Sequence, residues 1–235
     1  MRISEIYASL QGEGRYAGTP STFVRTSGCN LRCTWCDTPF TSWAAEGTNR
    51  TVDEVLGAVA ALGLRHAVVT GGEPLILADV PDLCRRLRDA GVHVTIETAG
   101  SLLPAADPAA IADFLSISPK LASSTPSLAG AGSWAARHEA ARRRDDVLVS
   151  LMQAPHQLKF VIGSPADLAE ACGWLDDLAR AGAIVEPDAV FLMPEGRDPA
   201  RLAATAAWLE PAARQRGFHR APRHHIAWFG DTRGT

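Results

Sequence analysis

From about residue 50 onward, short apolar runs alternate with stretches of helical period, and this alternation constrains the fold more than any other feature of the chain. Thr51-Val-Asp-Glu54 has the spacing of a capping box, and Val55, Val59 and Leu62 continue a helical stripe behind it. His66-Ala-Val-Val-Thr70 reads as a short buried strand ending at Gly71-Gly72. Helical spacing returns over residues 79–90 through Val80, Leu83, Cys84 and Leu87. Residues 92–97, 114–118, 157–162 and 190–193 are predicted strands, the third with one polar edge. Ser164-Pro165 and Asp198-Pro199 each put a capping side chain before a proline at the first helical position. His225-Ile-Ala-Trp228 is predicted as a last short strand.

Strand then helix at this spacing implies βαβ units and a parallel sheet. Five or six such repeats fall short of the eight of a closed (β/α)8 barrel. The expected fold is therefore α/β, an open partial barrel of about six parallel strands. Residues 122–134 are rich in Ser, Ala, Gly and Pro and read as a loop. No linker interrupts the chain, so one domain is expected over residues 1–235. With 46% hydrophobic and 21% charged residues, the chain can bury a core and is not disordered. A net charge of −3 gives no overall field for nucleic acid or an anionic membrane. The first residues lack an apolar signal core and no run is long enough to span a bilayer, so a cytoplasmic protein is expected.

Three of the five cysteines fall within eight residues, in Gly28-Cys-Asn-Leu-Arg-Cys-Thr-Trp-Cys-Asp37. A clustered, odd set without an export signal reads as metal ligation rather than a disulfide framework. Cys84 and Cys172 stand alone in helical stretches and read as small buried hydrophobes. Cys29, Cys33 and Cys36 on one short loop can hold three irons of a four-iron cluster and leave the fourth open. A structural zinc site wants four ligands, and His66 or His93 would have to come from distant strands to complete one. A plain electron-transfer cluster would want a fourth cysteine nearby. Thr70-Gly-Gly-Glu-Pro74 follows a strand, and paired glycines let backbone amides approach a small charged group.

The C-x3-C-x2-C motif with Trp35 before its last cysteine resembles the signature of the radical S-adenosylmethionine (SAM) superfamily. Thr70–Pro74 resembles that superfamily's motif for the SAM amino group. A narrower resemblance rests on Leu10-Gln-Gly-Glu-Gly14, Phe23-Val-Arg25, Cys36-Asp37-Thr38, Ser118-Pro-Lys120 and Trp228-Phe-Gly-Asp-Thr-Arg-Gly234. In order and spacing this set is similar to the 7-carboxy-7-deazaguanine synthases, which contract the ring of 6-carboxy-5,6,7,8-tetrahydropterin with loss of ammonia. The resemblance implies a 4Fe-4S cluster on Cys29, Cys33 and Cys36, with SAM on its open iron. It implies Mg²⁺ at Thr38 and SAM contacts from Trp35, Cys36, Asp37, Gly72, Ser118, Pro119 and Lys120. Leu10, Gln11, Gly12, Arg25 and Thr70 would meet the pterin, Arg25 at its carboxylate. Met193-Pro194-Glu195-Gly196 sits where the family has another SAM segment but differs in composition. The C-terminal residues to Thr235 would close over the substrate. A homodimer and an external electron donor are also implied.

Some conspicuous features read as structural. Arg142-Arg143-Arg144, answered by Asp145 and Asp146, reads as a solvated helix face. One of His224 and His225 is expected at the active-site mouth, while His138, His156 and His219 carry no readable signal. An activating enzyme for a glycyl-radical protein shares the cysteine spacing but needs no pterin-holding Gln11 and Arg25.

Overall fold

The computed structural model describes residues 1–234. Nine strands form one sheet among them: β1 (Arg2–Leu10), β2 (Pro20–Thr26), β3 (Thr48–Asn49), β4 (His66–Gly71), β5 (His93–Thr98), β6 (Phe114–Ile117), β7 (His156–Ile162), β8 (Val190–Pro194) and β9 (His219–Arg220). Their order is β3-β1-β2-β4-β5-β6-β7-β8-β9. From β2 through β9 all pairings are parallel, whereas β1 lies antiparallel to β2 and β3 antiparallel to β1. The sheet runs from β3 at one edge to β9 at the other, so it is the expected open barrel, with six parallel strands and the two-residue β9.

The helices are α1 (Pro39–Ser42), α2 (Val52–Leu62), α3 (Val80–Asp89), α4 (Pro108–Ile111), α5 (Leu128–Ala131), α6 (Ser133–Arg142), α7 (Asp145–Leu151), α8 (Pro165–Arg180), α9 (Pro199–Arg214) and α10 (His224–Phe229). Their starts follow local rules. Thr51 and Glu54 form the reciprocal capping box of α2, and Gly63 ends it in the left-handed region. Ser164 and Asp198 accept the backbone N–H of Asp167 and Arg201, each before a proline at the first helical position.

Period-two alternation sends apolar side chains outward to the helices. Ala67 and Val69, Val94 and Ile96, Leu115 and Ile117, Leu158, Phe160 and Ile162, and Val190 and Leu192 join one core with Val55, Val59, Leu83, Leu87, Trp174 and Leu178. Phe160 meets Trp174 edge-on, ring centroids 6.1 Å apart. Cys84 is fully buried there, and Cys172, half-buried, packs against that core. The inward faces are mixed, with Thr70, Glu97, Gln157 and Lys159 beside a small apolar cluster of Val161, Phe191, Met193 and Ala221. At the N-terminal ends of the strands, the ring of Tyr16 packs at 5.0–5.3 Å against His66, His93 and Phe114. Ser21 Oγ donates to Thr19 O, so His66 Nδ1–H donates to Ser21 Oγ (2.7 Å) and Nε2 accepts from Thr95 Oγ1 (2.8 Å).

Three expectations are corrected. Residues 225–228 are helical, within α10, and the last strand is His219–Arg220. The helix brings His224 and Trp228, four apart, into a stack 4.9 Å between ring centres, and buries Ile226. Within 122–134 lie a 3-10 turn (Ala122–Ser124), α5 capped by Ser127, and the start of α6. The arginine run is a solvated face only in part: Arg144 is exposed and pairs with Asp146, and Arg143 pairs with Asp145, but Arg142 is buried. Arg142 is 9% exposed and bonds Glu139, Glu170 and the carbonyl of Lys120, and Arg143 lies over the ring of Trp174.

Thr51→Ala removes one half of the capping box and is expected to cost about 1 kcal/mol. A urea midpoint lowered with an unchanged slope checks it. His66 adds a pH dependence. Burial, and then His93, push its pKa down to about 4 from 6.5. Between these values the unfolded chain binds more protons, so stability falls as pH drops from about 6.5 to 4. Urea midpoints between pH 7 and 4.5 should fall less steeply for His66→Gln than for the parent chain.

Candidate active site

Register builds one wall of the site. Glu5 pairs with Arg25, Arg25 with Thr70, Glu97 with Ser116, and Ser116 with Gln157. Thr70 Oγ1 donates to Glu97 Oε2 at 2.7 Å and joins the two halves into a single inward row across six strands. A β-bulge between Ile3 and Glu5 supplies the extra residue that brings Glu5 opposite Arg25. Gln11 Nε2 reaches over the row to Glu97 Oε1 at 3.1 Å. Above it lies a cavity of about 470 Å³ at the C-terminal ends of the strands. A shallower depression around Arg85, Arg88, Asp89 and Asp113 lies at the opposite end and holds no cysteine.

Leu10, Gln11, Gly12, Arg25, Cys29, Cys33, Trp35, Cys36, Asp37, Thr38, Thr70, Gly72, Ser118 and Lys120 all line this cavity. Of the residues expected from sequence, Pro119 is absent from the lining, as are Pro194, Glu195 and Gly196 of the segment that ends β8. Met193 lines it, as do Asp231–Gly234 from the C-terminus; Thr235 lies outside the described residues. Arg233 bonds Glu5 and Glu46 and lies 3.8 Å over the ring of Phe40. His225 faces the cavity 3.7 Å from Glu13, as expected of one histidine of the pair, though it projects from a helix.

The cysteine loop is tied down at four points. Arg32 N–H donates to His138 Nδ1 (3.0 Å), Thr34 N–H to Ser124 O (2.9 Å), Gly28 N–H to Thr41 O (2.8 Å) and the Trp43 indole to Cys33 O (3.0 Å). Leu31 N–H donates to Cys29 Sγ at 3.4 Å, and Ser42 Oγ lies 3.3 Å from Cys36 Sγ. Burial pushes the thiols of Cys29 and Cys33 up to about 11 and 12. Buried thiolates in that setting need a bound cation to persist. The donor set of three free, cavity-facing thiols fits an iron–sulfur cluster. Among the described residues no three His, Cys, Asp or Glu side chains already converge on one point. Thr38 Oγ1 lies 3.1 Å from Thr41 Oγ1 and offers one oxygen to a hard cation, the rest having to come from ligand and water.

The glycine turn presses directly on this loop. A Cβ on Gly72 would stand 1.9 Å from the carbonyl oxygen of Gly28, and Gly71 has φ +127°. Glu73, fully buried, braces the turn by accepting from Thr98 Oγ1 (2.8 Å), Ala99 N–H (2.8 Å) and Leu75 N–H (3.1 Å). Burial pushes its carboxyl up.

Charge on the substrate side centres on Glu13. Burial alone would raise its carboxyl, but Lys159, Arg223 and His225 outweigh that and hold it well below the usual range. Lys159, 5% exposed, pairs with Glu13 Oε2. Burial would lower its ammonium, yet Glu13 and Glu97 raise it. Arg223, 7% exposed, donates to Asp37 Oδ2 (2.5 Å) and Gly196 O (2.6 Å), its Nε 3.5 Å from Glu13 Oε1. Arg25 is already held by Glu5 (3.0 Å) and Tyr7 Oη (2.5 Å). Lys120 Nζ folds back on Ser118 O and Oγ. Glu97, Lys159, Arg223 and His138 are not marked by any motif. Only the polar alternation of Gln157 and Lys159 in an apolar strand signalled an inward polar face.

The profile of the Radical SAM superfamily matches residues 23–147, more than half of the chain, so the fold and the cysteine-lined cavity define a radical SAM enzyme. Such enzymes work with SAM and a 4Fe-4S cluster. A 7-carboxy-7-deazaguanine synthase of Rhodopirellula baltica is 46% identical over 99% of this chain and 88% of its own length. One of Halobacterium salinarum is 42% identical over 97% and 90%. The chain belongs to the 7-carboxy-7-deazaguanine synthase family. The crystal structure of QueE from Escherichia coli superposes with a TM-score of 0.70 at 23% identity, over 95% of this chain and 94% of that one, a likeness of fold.

Proposed function

We infer that the chain is a 7-carboxy-7-deazaguanine synthase, converting 6-carboxy-5,6,7,8-tetrahydropterin to 7-carboxy-7-deazaguanine with loss of ammonia, in 7-deazapurine biosynthesis of the queuosine type. The observation that carries this is the meeting of a three-cysteine loop and a charged, hydrogen-bonding row across one cavity. When bound, SAM and the cluster supply hydrogen-atom abstraction from the substrate.

The chain's own residues bind, aim and shield. Arg25, steadied by Glu5 and Tyr7, turns its remaining donors to the pterin carboxylate. Leu10, Gln11, Gly12 and Thr70 line the ring's seat, with Gln11 and Thr70 aimed by Glu97. Gly72, Trp35, Cys36, Asp37, Ser118, Pro119 and Lys120 serve SAM, with Asp37 fixed by Arg223. Thr38 would hold Mg²⁺ through its hydroxyl, and the metal would orient the substrate carboxylate. Asp231–Gly234, which line the cavity, would close over the substrate. The working unit is a homodimer that takes its electron from a separate one-electron carrier. No helix among the described residues is long and apolar enough to cross a membrane.

Anaerobically reconstituted protein should turn the pterin into product in the presence of SAM, reductant and Mg²⁺, read by chromatography. Cys33→Ala should lose both the cluster absorbance and product formation. No product over a range of reductants, with a loaded cluster, would remove this reading and favour a protein substrate. Thr38→Ala should keep the cluster and lose most of the Mg²⁺ stimulation; an unchanged Mg²⁺ response would refute its ligand role.

A further inference from the structure

Cys36 has a side-chain hydroxyl at its sulfur. Ser42 Oγ lies 3.3 Å from Cys36 Sγ, and Ser42 is 4% exposed. It is the last residue of α1, where a serine could bond back to the carbonyl four residues earlier. That carbonyl belongs to Thr38 and already accepts from Thr41 N–H and Thr41 Oγ1, both at 2.9 Å. Its two lone pairs are filled, so the Ser42 hydroxyl is released to the sulfur. The neighbours of Ser42 pin its place. Thr41 O accepts from Gly28 N–H at 2.8 Å, and the Trp43 indole donates to Cys33 O at 3.0 Å. Both ends of this short segment are thus tied to the loop that carries the cysteines.

A cysteine that ligates metal has lost its proton, so in this pair Ser42 must donate and Cys36 accept. A hydrogen bond to a ligating sulfur draws electron density from it and favours the more negative, reduced form of a cluster. We propose that Ser42 raises the reduction potential of the cluster by donating a hydrogen bond from its hydroxyl to Cys36 Sγ. The step it governs is the transfer of one electron from an external low-potential one-electron reductant to the oxidised cluster. No bond is made or broken in that step and no proton moves. Ser42 acts through Cys36 and is a positioning residue, not a catalytic one. The inference rests on the reading that Cys29, Cys33 and Cys36 hold the cluster.

The test is a potentiometric titration of reconstituted full-length protein without SAM, with dithionite and redox mediators, following the electron paramagnetic resonance signal of the reduced cluster. Iron and sulfide are counted in the same samples. Ser42→Ala should load as much iron as the parent chain, and its midpoint should move to lower potential. At one fixed poise a smaller fraction of it is then reduced. Ser42→Thr keeps a hydroxyl at the same carbon and should titrate with the parent chain. A parent-like midpoint in a fully loaded Ser42→Ala protein would overturn the inference, as would a Thr variant shifted as far as Ala. Iron lost from Ser42→Ala but kept by Ser42→Thr would assign the hydroxyl to assembly and overturn it too. A parent chain that takes up no iron at all would instead strike down the cluster reading on which it rests.

Discussion

The inward row from Glu5 to Gln157 is the constraint on which the site depends. In a strand the side-chain period is two, so a one-residue slip would exchange every inward polar group for an outward apolar one. Six neighbouring strands must hold a common register for Glu5, Arg25, Thr70, Glu97, Ser116 and Gln157 to share a level. The outer face supplies the force that fixes it, because Val69, Ile96, Ile117, Phe160 and Leu192 are buried only in that register. At about 25 cal/mol per Å² of apolar area, misplacing even a few such side chains costs several kcal/mol. The strongest specification of a polar site here is thus apolar and lies on the other side of the sheet.

Charge inside the barrel is arranged around a deficit of acid. Glu13 faces Lys159, Arg223 and His225, and Asp37 shares Arg223. Removing one member of such a buried set is far more costly than the net worth of the pair. Arg223 therefore couples three segments that are distant in sequence. These are the turn after β1 that carries Glu13, the end of the cysteine loop at Asp37, and the chain after β8 at Gly196. Its position follows from α10 packing on Gly12, where a Cβ would collide with His225 at 2.7 Å.

What could be read from sequence was local. The capping box at Thr51, the serine and aspartate caps before proline, and the apolar runs of β4 to β8 each state their structure within a few residues. Residues 225–228 failed that test because three apolar or aromatic residues in four suit a strand or a helix turn equally. Tertiary contact decided for the helix, with Ile226 buried and His224 stacked on Trp228. Arg142 misled for the same reason: a charge run says nothing of Glu139 and Glu170 waiting on other turns and helices. In the site, residues inside compact motifs were legible. Those brought in by register or by a distant helix, such as Lys159, Glu97, His138 and Arg223, were not.

The backbone contact between the glycine turn and the cysteine loop has a consequence for how this architecture changes over time. Gly28 donates to Thr41 O, while its own carbonyl accepts from Glu73 N–H at 2.9 Å and lies against Gly72. The cysteine loop and the turn that follows β4 are therefore mounted on one stitched piece of main chain. Their separation does not depend on the identity of any side chain larger than glycine. Lining residues such as Gln11, Arg25, Glu97 and Lys159 reach the cavity from other segments. Those walls are free to be recut for a different guest while the spacing between loop and turn stays as it is.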